Sequence, residues 1–306
     1  MRVRRERRGR RGTSRRAELG FAEPSRAGTA TLAIAALVVL GAVVYSTVQS
    51  NGSGGHGSHS APPSPTVADE GLADVHDGYR LELLDEPAAR GQSVPVAFRI
   101  FGPDSRPVTE YDLDHTKLLH FYVLRDDLSH YQHLHPTLSG DTWNTTIAVP
   151  DGGQYRLYAE FLAKGRPNPT HPTILGAPFT VPGDTTFVPL PAPAATVNID
   201  NVTVSRPEGA ADIRVGKINE LRFQVCDSAG RPIDHLDTYL GAYAHLSAFN
   251  ALTMGLLHQH PLAADTPGGP ELTFSAQFAA RGEHRLFLEF IVNAQLHRAE
   301  FTVFVT

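Results

Sequence analysis

Residues 118–136 read LLHFYVLRDDLSHYQHLHP, and the alternation within them decides the fold. Successive side chains of a strand point to opposite faces, so Leu118, His120, Tyr122 and Leu124 share one face and Leu119, Phe121 and Val123 the other. Asp126, Asp127 and Ser129 suit a turn. On the returning strand Tyr131, His133 and His135 share a face, and Pro136 ends it by removing a backbone donor. A hairpin of this kind brings His120 toward His133 or His135, because directly opposed Cβ atoms lie about 4.5–5.5 Å apart.

The same landmarks return later in the chain. Phe98, Arg106-Pro107, His120, His133 and His135-Pro136 recur 125 positions on as Phe223, Arg231-Pro232, His245, His258 and His260-Pro261. QYRLYAEF at residues 154–161 returns as EHRLFLEF at 283–290, an offset of 129, which places four extra residues in the loop between. A fixed offset held over so many landmarks marks a duplication. Short β-branched and aromatic runs bounded by Gly, Pro, Asp and Asn fill both copies, and no interval offers a capped helical stripe. The expected fold class is all-β: two tandem, duplicated β-sandwich domains after one N-terminal transmembrane helix.

That helix is read from Ala30 to Val48, an uncharged run that follows ten arginines in the first 26 positions. Its length just crosses a hydrocarbon layer of roughly 30 Å, and the basic block before it holds the N-terminus in the cytoplasm. A cleaved signal peptide is the competing interpretation. The expected organisation is a basic cytoplasmic tail at 1–28, a transmembrane anchor at 29–48 and a flexible linker at 49–69. A β-sandwich at 70–185, a Pro/Ala-rich joint at 186–195 and a second β-sandwich at 196–306 follow. The chain is thus expected at the cell membrane, single-pass, with both sandwiches extracytoplasmic.

The net charge of −5 combines +7 in the first 26 residues with −12 in the remainder. Arginines beside a membrane span serve topology, so no nucleic-acid partner is expected, and an acidic exterior attracts cations. The single Cys226 excludes an intramolecular disulfide and a thiol-chelated metal. Any metal site must use nitrogen or oxygen ligands. Neutral imidazoles held on adjacent strands supply them at little ordering cost, and they suit Cu²⁺ or Zn²⁺. The candidate metal ligands are His120, His133 and His135 in the first copy and His245, His258 and His260 in the second, with His115 and His130 enriching the first cluster. Asp114 is a candidate acceptor behind an imidazole. Met254 reads as a packing residue and Cys226 as an inert thiol, since no neighbouring His identifies a base for it. The opposing interpretation makes the histidines structural, each satisfying a backbone carbonyl at the rim of an aromatic core.

The segments DHTKLLHFYVLRDDLSHYQHLHP and GGQYRLYAEF in residues 114–161 resemble secreted bacterial heavy-metal and copper-handling proteins with YtkA-like β-sandwich domains. HLSAFNALTMGLLHQHP extends the resemblance to the second copy. It implies an extracytoplasmic immunoglobulin-like or cupredoxin-like sandwich and a role in metal tolerance or delivery. The chain departs from a blue-copper centre, which needs a Cys beside two His, and from Met-rich Cu(I) carriers. The expected function is binding of a divalent metal ion, copper(II) before zinc(II), for buffering or delivery. The alternative is a metal-independent cell-surface module that meets an extracytoplasmic protein partner through sheet edges or aromatic residues such as Trp143. An enzyme is not expected, although a His-bound zinc hydrolase is a third reading and Glu160 and Glu289 recur in both copies.

Overall fold

Strand β5 (Leu119–Arg125) is buried on both of its faces, and the reason organises the whole molecule. A computed structural model describes residues 71–166, 171–209, 213–261 and 268–306. The tail, anchor and linker expected over residues 1–69 lie outside the described residues.

In the first unit β1 (Val75–His76), β2 (Tyr79–Asp85), β3 (Gly91–Phe101), β8 (Thr142–Val149) and β7 (Thr137–Ser139) form one antiparallel sheet, in the order β1-β2-β3-β8-β7. β10 (Thr173–Val181), β9 (Gly153–Ala163), β5 and β6 (Gln132–Leu134) form the facing sheet, with the short β4 (Tyr111–Asp112) also on β9. Phe98, Phe121, Trp143, Leu157 and Phe161 fill the space between the sheets. The period-two alternation of β5 sends Leu119, Phe121 and Val123 into that core and His120, Tyr122 and Leu124 outward.

The second unit repeats the plan. β11 (Thr196–Ile199), β12 (Val202–Ser205), β13 (Ile218–Asp227) and β16 (Glu271–Gln277) form one sheet in that order. β15 (Leu256–Gln259), β14 (Ala244–Asn250), β17 (Gly282–Val292) and β18 (Gln295–Val305) form the other. The core here holds Phe223, Leu246, Phe274, Leu286 and Phe301. No helix occurs among the described residues, so the all-β expectation and the two-copy plan describe this part of the chain.

Between the units lies a third apolar layer. Tyr122, Leu124, Leu128, Tyr131 and Tyr158 of the first unit meet Phe249, Leu256 and Phe287 of the second. Tyr131 stacks on Phe287 with ring centroids 4.0 Å apart and donates its hydroxyl to Ser247 Oγ. Tyr158 donates its hydroxyl to the Met254 carbonyl, and Arg298 Nη1 donates to the Tyr131 carbonyl. Each large apolar side chain buried here contributes roughly 1.5–3 kcal/mol before ordering costs. The outer faces of the two histidine-bearing sheets are therefore covered by one another. The connecting segment follows the same surface: Arg125 Nη2 donates to the Thr186 carbonyl, and the Val188 N–H donates to Asp127.

Trp143 departs from its expected place. It lies within β8 at 1% exposure, and its indole N–H donates to the Tyr111 hydroxyl. Its position opposite Phe98 in the register turns it into the core, so it is not a surface contact for a partner.

Candidate metal centre

Both histidine clusters sit on the faces that the units turn toward each other. β5 runs antiparallel to β6, with Tyr122 opposite His133, and His120 lies one step further along the same face. The third histidine, His135, follows just after β6 ends. His120 Nδ1 approaches His133 Nε2 at 3.0 Å and His135 Nε2 at 3.3 Å. In the second unit β14 and β15 set Ser247 opposite His258, and His245 Nδ1 faces His258 Nε2 at 3.4 Å. Each triad, His120/His133/His135 and His245/His258/His260, offers three ring nitrogens lying within 4.8 Å of one another.

The far nitrogens decide what the facing ones can do. His120 Nε2 donates to the Asp114 carbonyl at 3.2 Å and His245 Nε2 to the Tyr239 carbonyl at 2.9 Å. A carbonyl only accepts, so in each neutral ring Nδ1 carries a lone pair. His133 Nδ1 lies 2.8 Å from Glu289 Oε2, and His258 Nδ1 lies 2.7 Å from Glu160 Oε2. Where the carboxylate is ionised and the imidazole neutral, the proton sits on Nδ1 and Nε2 of that ring also carries a lone pair; a protonated Glu289 or His258 instead turns an Nε2–H toward the facing Nδ1. Two lone pairs directed at each other across about 3 Å repel, and a cation between them removes the conflict: a proton or a metal ion. His260 Nε2 is buried with no hydrogen-bond partner, as a ligand nitrogen would be. The donor set thus fits a nitrogen-ligated metal, and the six rings fit the site on geometry as well as type.

Protonation follows the surroundings. Burial pushes His120 down to about 4 and His135 and His245 to about 2, and it holds His133 well below the ordinary imidazole value. Burial also works against a charge on His258, yet the adjacent Glu160 raises it. The reciprocal effect of that pair outweighs burial at Glu160, which is held down to about 2. Glu289 is pushed up to about 7, chiefly by burial. The two carboxylates occupy equivalent places in the repeat and their acidities part: the adjacent His258 holds Glu160 down, whereas burial pushes Glu289 up.

The two triads adjoin. His120 and His258 have ring centroids 5.2 Å apart and His133 and His245 5.9 Å, comparable to the 4.5–5.6 Å spacings within the triads. His115 departs from its expected company. It occupies the tip of the tight turn Asp114–Lys117, closed by hydrogen bonds in both directions, with φ 42° at His115 and 72° at Thr116. That conformation projects its ring across to the second unit, where it stacks on His260 at 3.3 Å between centroids. His130 is not brought to either triad, because its Nε2 bonds to Asp151 at 2.8 Å. Three positions separate His130 from His133, so they could not share a strand face. Asp114 does stand behind His120, through its carbonyl rather than its carboxyl. Met254 packs in the layer between the units. Spacing gave no sign that Glu160 and Glu289 reach the histidines; the signal available was their recurrence in matching strands.

Residues 73–174 and 195–306 both match the model of a family described as a domain of unknown function, DUF8832. The chain belongs to the DUF8832 family. The two matches fall on the two halves of the repeat. No curated protein matches the chain. Among solved structures the DUF8832 pair is similar to FdeC, an Escherichia coli adhesin, at 17% identity over 75% of this chain and 64% of that one, with a TM-score of 0.24. It is also similar to domains 4 and 5 of the S-layer protein SbsC, at 9% identity over 76% of this chain and all of that one, with a TM-score of 0.24. The adhesin InvE of Yersinia pseudotuberculosis matches at 13% identity over 74% and 58%, with a TM-score of 0.20. Superpositions this loose carry nothing about function.

Proposed function

We propose that this protein is a membrane-tethered, extracytoplasmic metal-binding module. It holds divalent copper, or zinc in its place, at His120/His133/His135 and at His245/His258/His260, for buffering or delivery. Its sandwiches are of the immunoglobulin-like or cupredoxin-like kind, and it resembles heavy-metal-handling proteins with YtkA-like domains. The observation that carries this reading is the facing of His120 Nδ1 and His133 Nε2 at 3.0 Å, with the opposite nitrogen of each ring already committed. In the second triad the buried His260 Nε2 has no hydrogen-bond partner, which supports the same reading. Three protein nitrogens per ion suit Zn²⁺ or Cu²⁺, and both candidate groups among the described residues are made of histidines alone. Binding without turnover is the role assigned, since Glu160 and Glu289 are engaged with imidazoles and not free to act as a base.

Titration of the purified chain with Cu²⁺ and Zn²⁺, followed by calorimetry and elemental analysis, tests this. Two ions per chain are expected in the wild type, and none at comparable affinity in a variant carrying His133→Ala, His135→Ala, His258→Ala and His260→Ala. Equal and weak binding by both proteins would sink the proposal.

A further inference from the structure

Two buried carboxylates hydrogen-bond to the triads, and each does so across the interface. Glu160 lies directly opposite His120 in the register of its own sheet, on the same outward face. Its hydrogen bonds nevertheless run from the Tyr122 hydroxyl at 3.0 Å and from His258 of the other unit at 2.7 Å. Glu289 stands opposite His245 in the same way, and its carboxylate is 2.8 Å from His133 of the first unit. Glu160 is 3% exposed and Glu289 4%, so water screens neither contact.

The chemistry of an imidazole ligand gives these contacts a role. A carboxylate accepting from the far N–H fixes the tautomer, orients the ring and raises the basicity of the nitrogen that faces the ion. It also supplies countercharge. Three neutral imidazoles leave a buried divalent ion with its full charge, and a carboxylate one ring away offsets part of it. In both triads that carboxylate comes from the other unit.

We propose that Glu160 is a positioning residue for the metal ion at His245/His258/His260, and Glu289 for the ion at His120/His133/His135, so that neither unit completes a site without its neighbour. This inference rests on the metal-binding reading above. It extends that reading from two independent sites to one coupled centre at the interface. A merely structural Glu–His clamp makes a different prediction, because loosening the interface disturbs both triads together.

The test uses the full chain in two backgrounds. His133→Ala/His135→Ala retains the second triad alone, and His258→Ala/His260→Ala retains the first alone. Into each goes Glu160→Gln or Glu289→Gln, and Cu²⁺ and Zn²⁺ affinities are measured by competition against a chromophoric chelator. The expected pattern is crossed: Glu160→Gln weakens the second triad by about 10–100-fold and leaves the first unchanged, and Glu289→Gln does the reverse. A loss confined to the triad on the glutamate's own unit, an equal loss at both, or no loss at either overturns the inference and leaves the metal-binding reading standing. A wild-type chain that binds neither ion overturns both. Should a Gln variant fail to fold, Glu160→Asp and Glu289→Asp keep the charge one methylene short of its partner, and they face the same crossed comparison.

Discussion

His133 and Glu289 stand 156 residues apart in the chain and 2.8 Å apart in space, joined by a hydrogen bond that neither sandwich can make alone. The bond lies beside an aromatic layer that seals the two units together, so a polar contact of high local strength sits where water does not compete. The stability of the molecule and the geometry of its histidines therefore depend on the same surface.

Removing the aromatic seal should unfold more than its immediate surroundings. Tyr131→Ala deletes a ring stacked on Phe287 and the hydroxyl bonded to Ser247. A loss of about 3–5 kcal/mol is expected. Urea unfolding followed by tryptophan fluorescence in the first unit and by metal release from the second should give coincident transitions in the wild type. Separate transitions in the wild type would show that the layer does not couple the units.

The metal-free protein should lose stability as the solution is acidified below about pH 6.5. His120, His133, His135, His245, His260 and His284 all have folded-state values lowered by burial, His120 to about 4. The unfolded chain takes up those protons first, so stability falls as pH drops from the unfolded value toward the folded one. For His120 alone the loss reaches about 3 kcal/mol by pH 4. Glu289, His258 and Asp114, whose folded values are raised, work the other way, but they are three groups against six. Urea midpoints at pH 7.5 and 5.0 in the presence of a chelator check the sign, and an unchanged or higher midpoint at pH 5.0 contradicts it.

His130 and His135 lie five residues apart and should behave differently. His130→Ala breaks a partly exposed contact with Asp151, for which a stability change of about 1 kcal/mol or less is expected, with metal affinity unaltered. His135→Ala removes a candidate ligand and should abolish tight binding at the first triad. Comparable loss of metal in both variants would place His130 in the site after all.

Thr116 holds a β-branched side chain at φ 72°, where the repeat has Gly241 at φ 81°. Thr116→Gly should stabilise the chain by about 1 kcal/mol by relieving that conformation. Because the turn presents His115 to His260, the same substitution tests whether the turn's rigidity matters to the second triad. Thermal unfolding of the metal-free variant is the measurement, and a lowered midpoint would mean that Thr116 is not strained.

The faces of β5 were legible in residues 118–136, since His120, Tyr122 and Leu124 do part from Leu119, Phe121 and Val123. The duplication was legible in the constant offset. What alternation could not express is that the outward face of β5 is also buried. A row of His, Tyr and Leu reads as a mixed surface until a second sheet covers it, and the covering strands lie more than 100 residues away. Trp143 escaped for a related reason: its neighbours Thr142 and Asn144 are polar, and only the pairing with β3 shows which way the indole turns. His115 was assigned to the nearer triad by proximity in sequence, whereas a turn with two positive φ values aims it at the farther one. Contacts between units have no characteristic spacing, which is why Glu160 and Glu289 offered recurrence and nothing more.

The exchanged carboxylates obey a reciprocity that the numbering makes plain. His133 corresponds to His258 and Glu160 to Glu289, so the bond from one copy to the other is matched by its counterpart in return. That is the signature of an isologous twofold contact, the kind formed by two identical subunits. The present chain is thus organised like a homodimer whose subunits are joined end to end, with the segment at 186–195 both connecting them and bonded along the first unit through Thr186 and Val188. A chain cut within that segment should stay associated, with both fragments eluting together on gel filtration; separate elution would show that the covalent joint is needed to hold the copies together. Joining the copies also frees each to drift, and His115 and His130, which have Leu240 and Gly255 at the matching positions, show how far the two halves have parted.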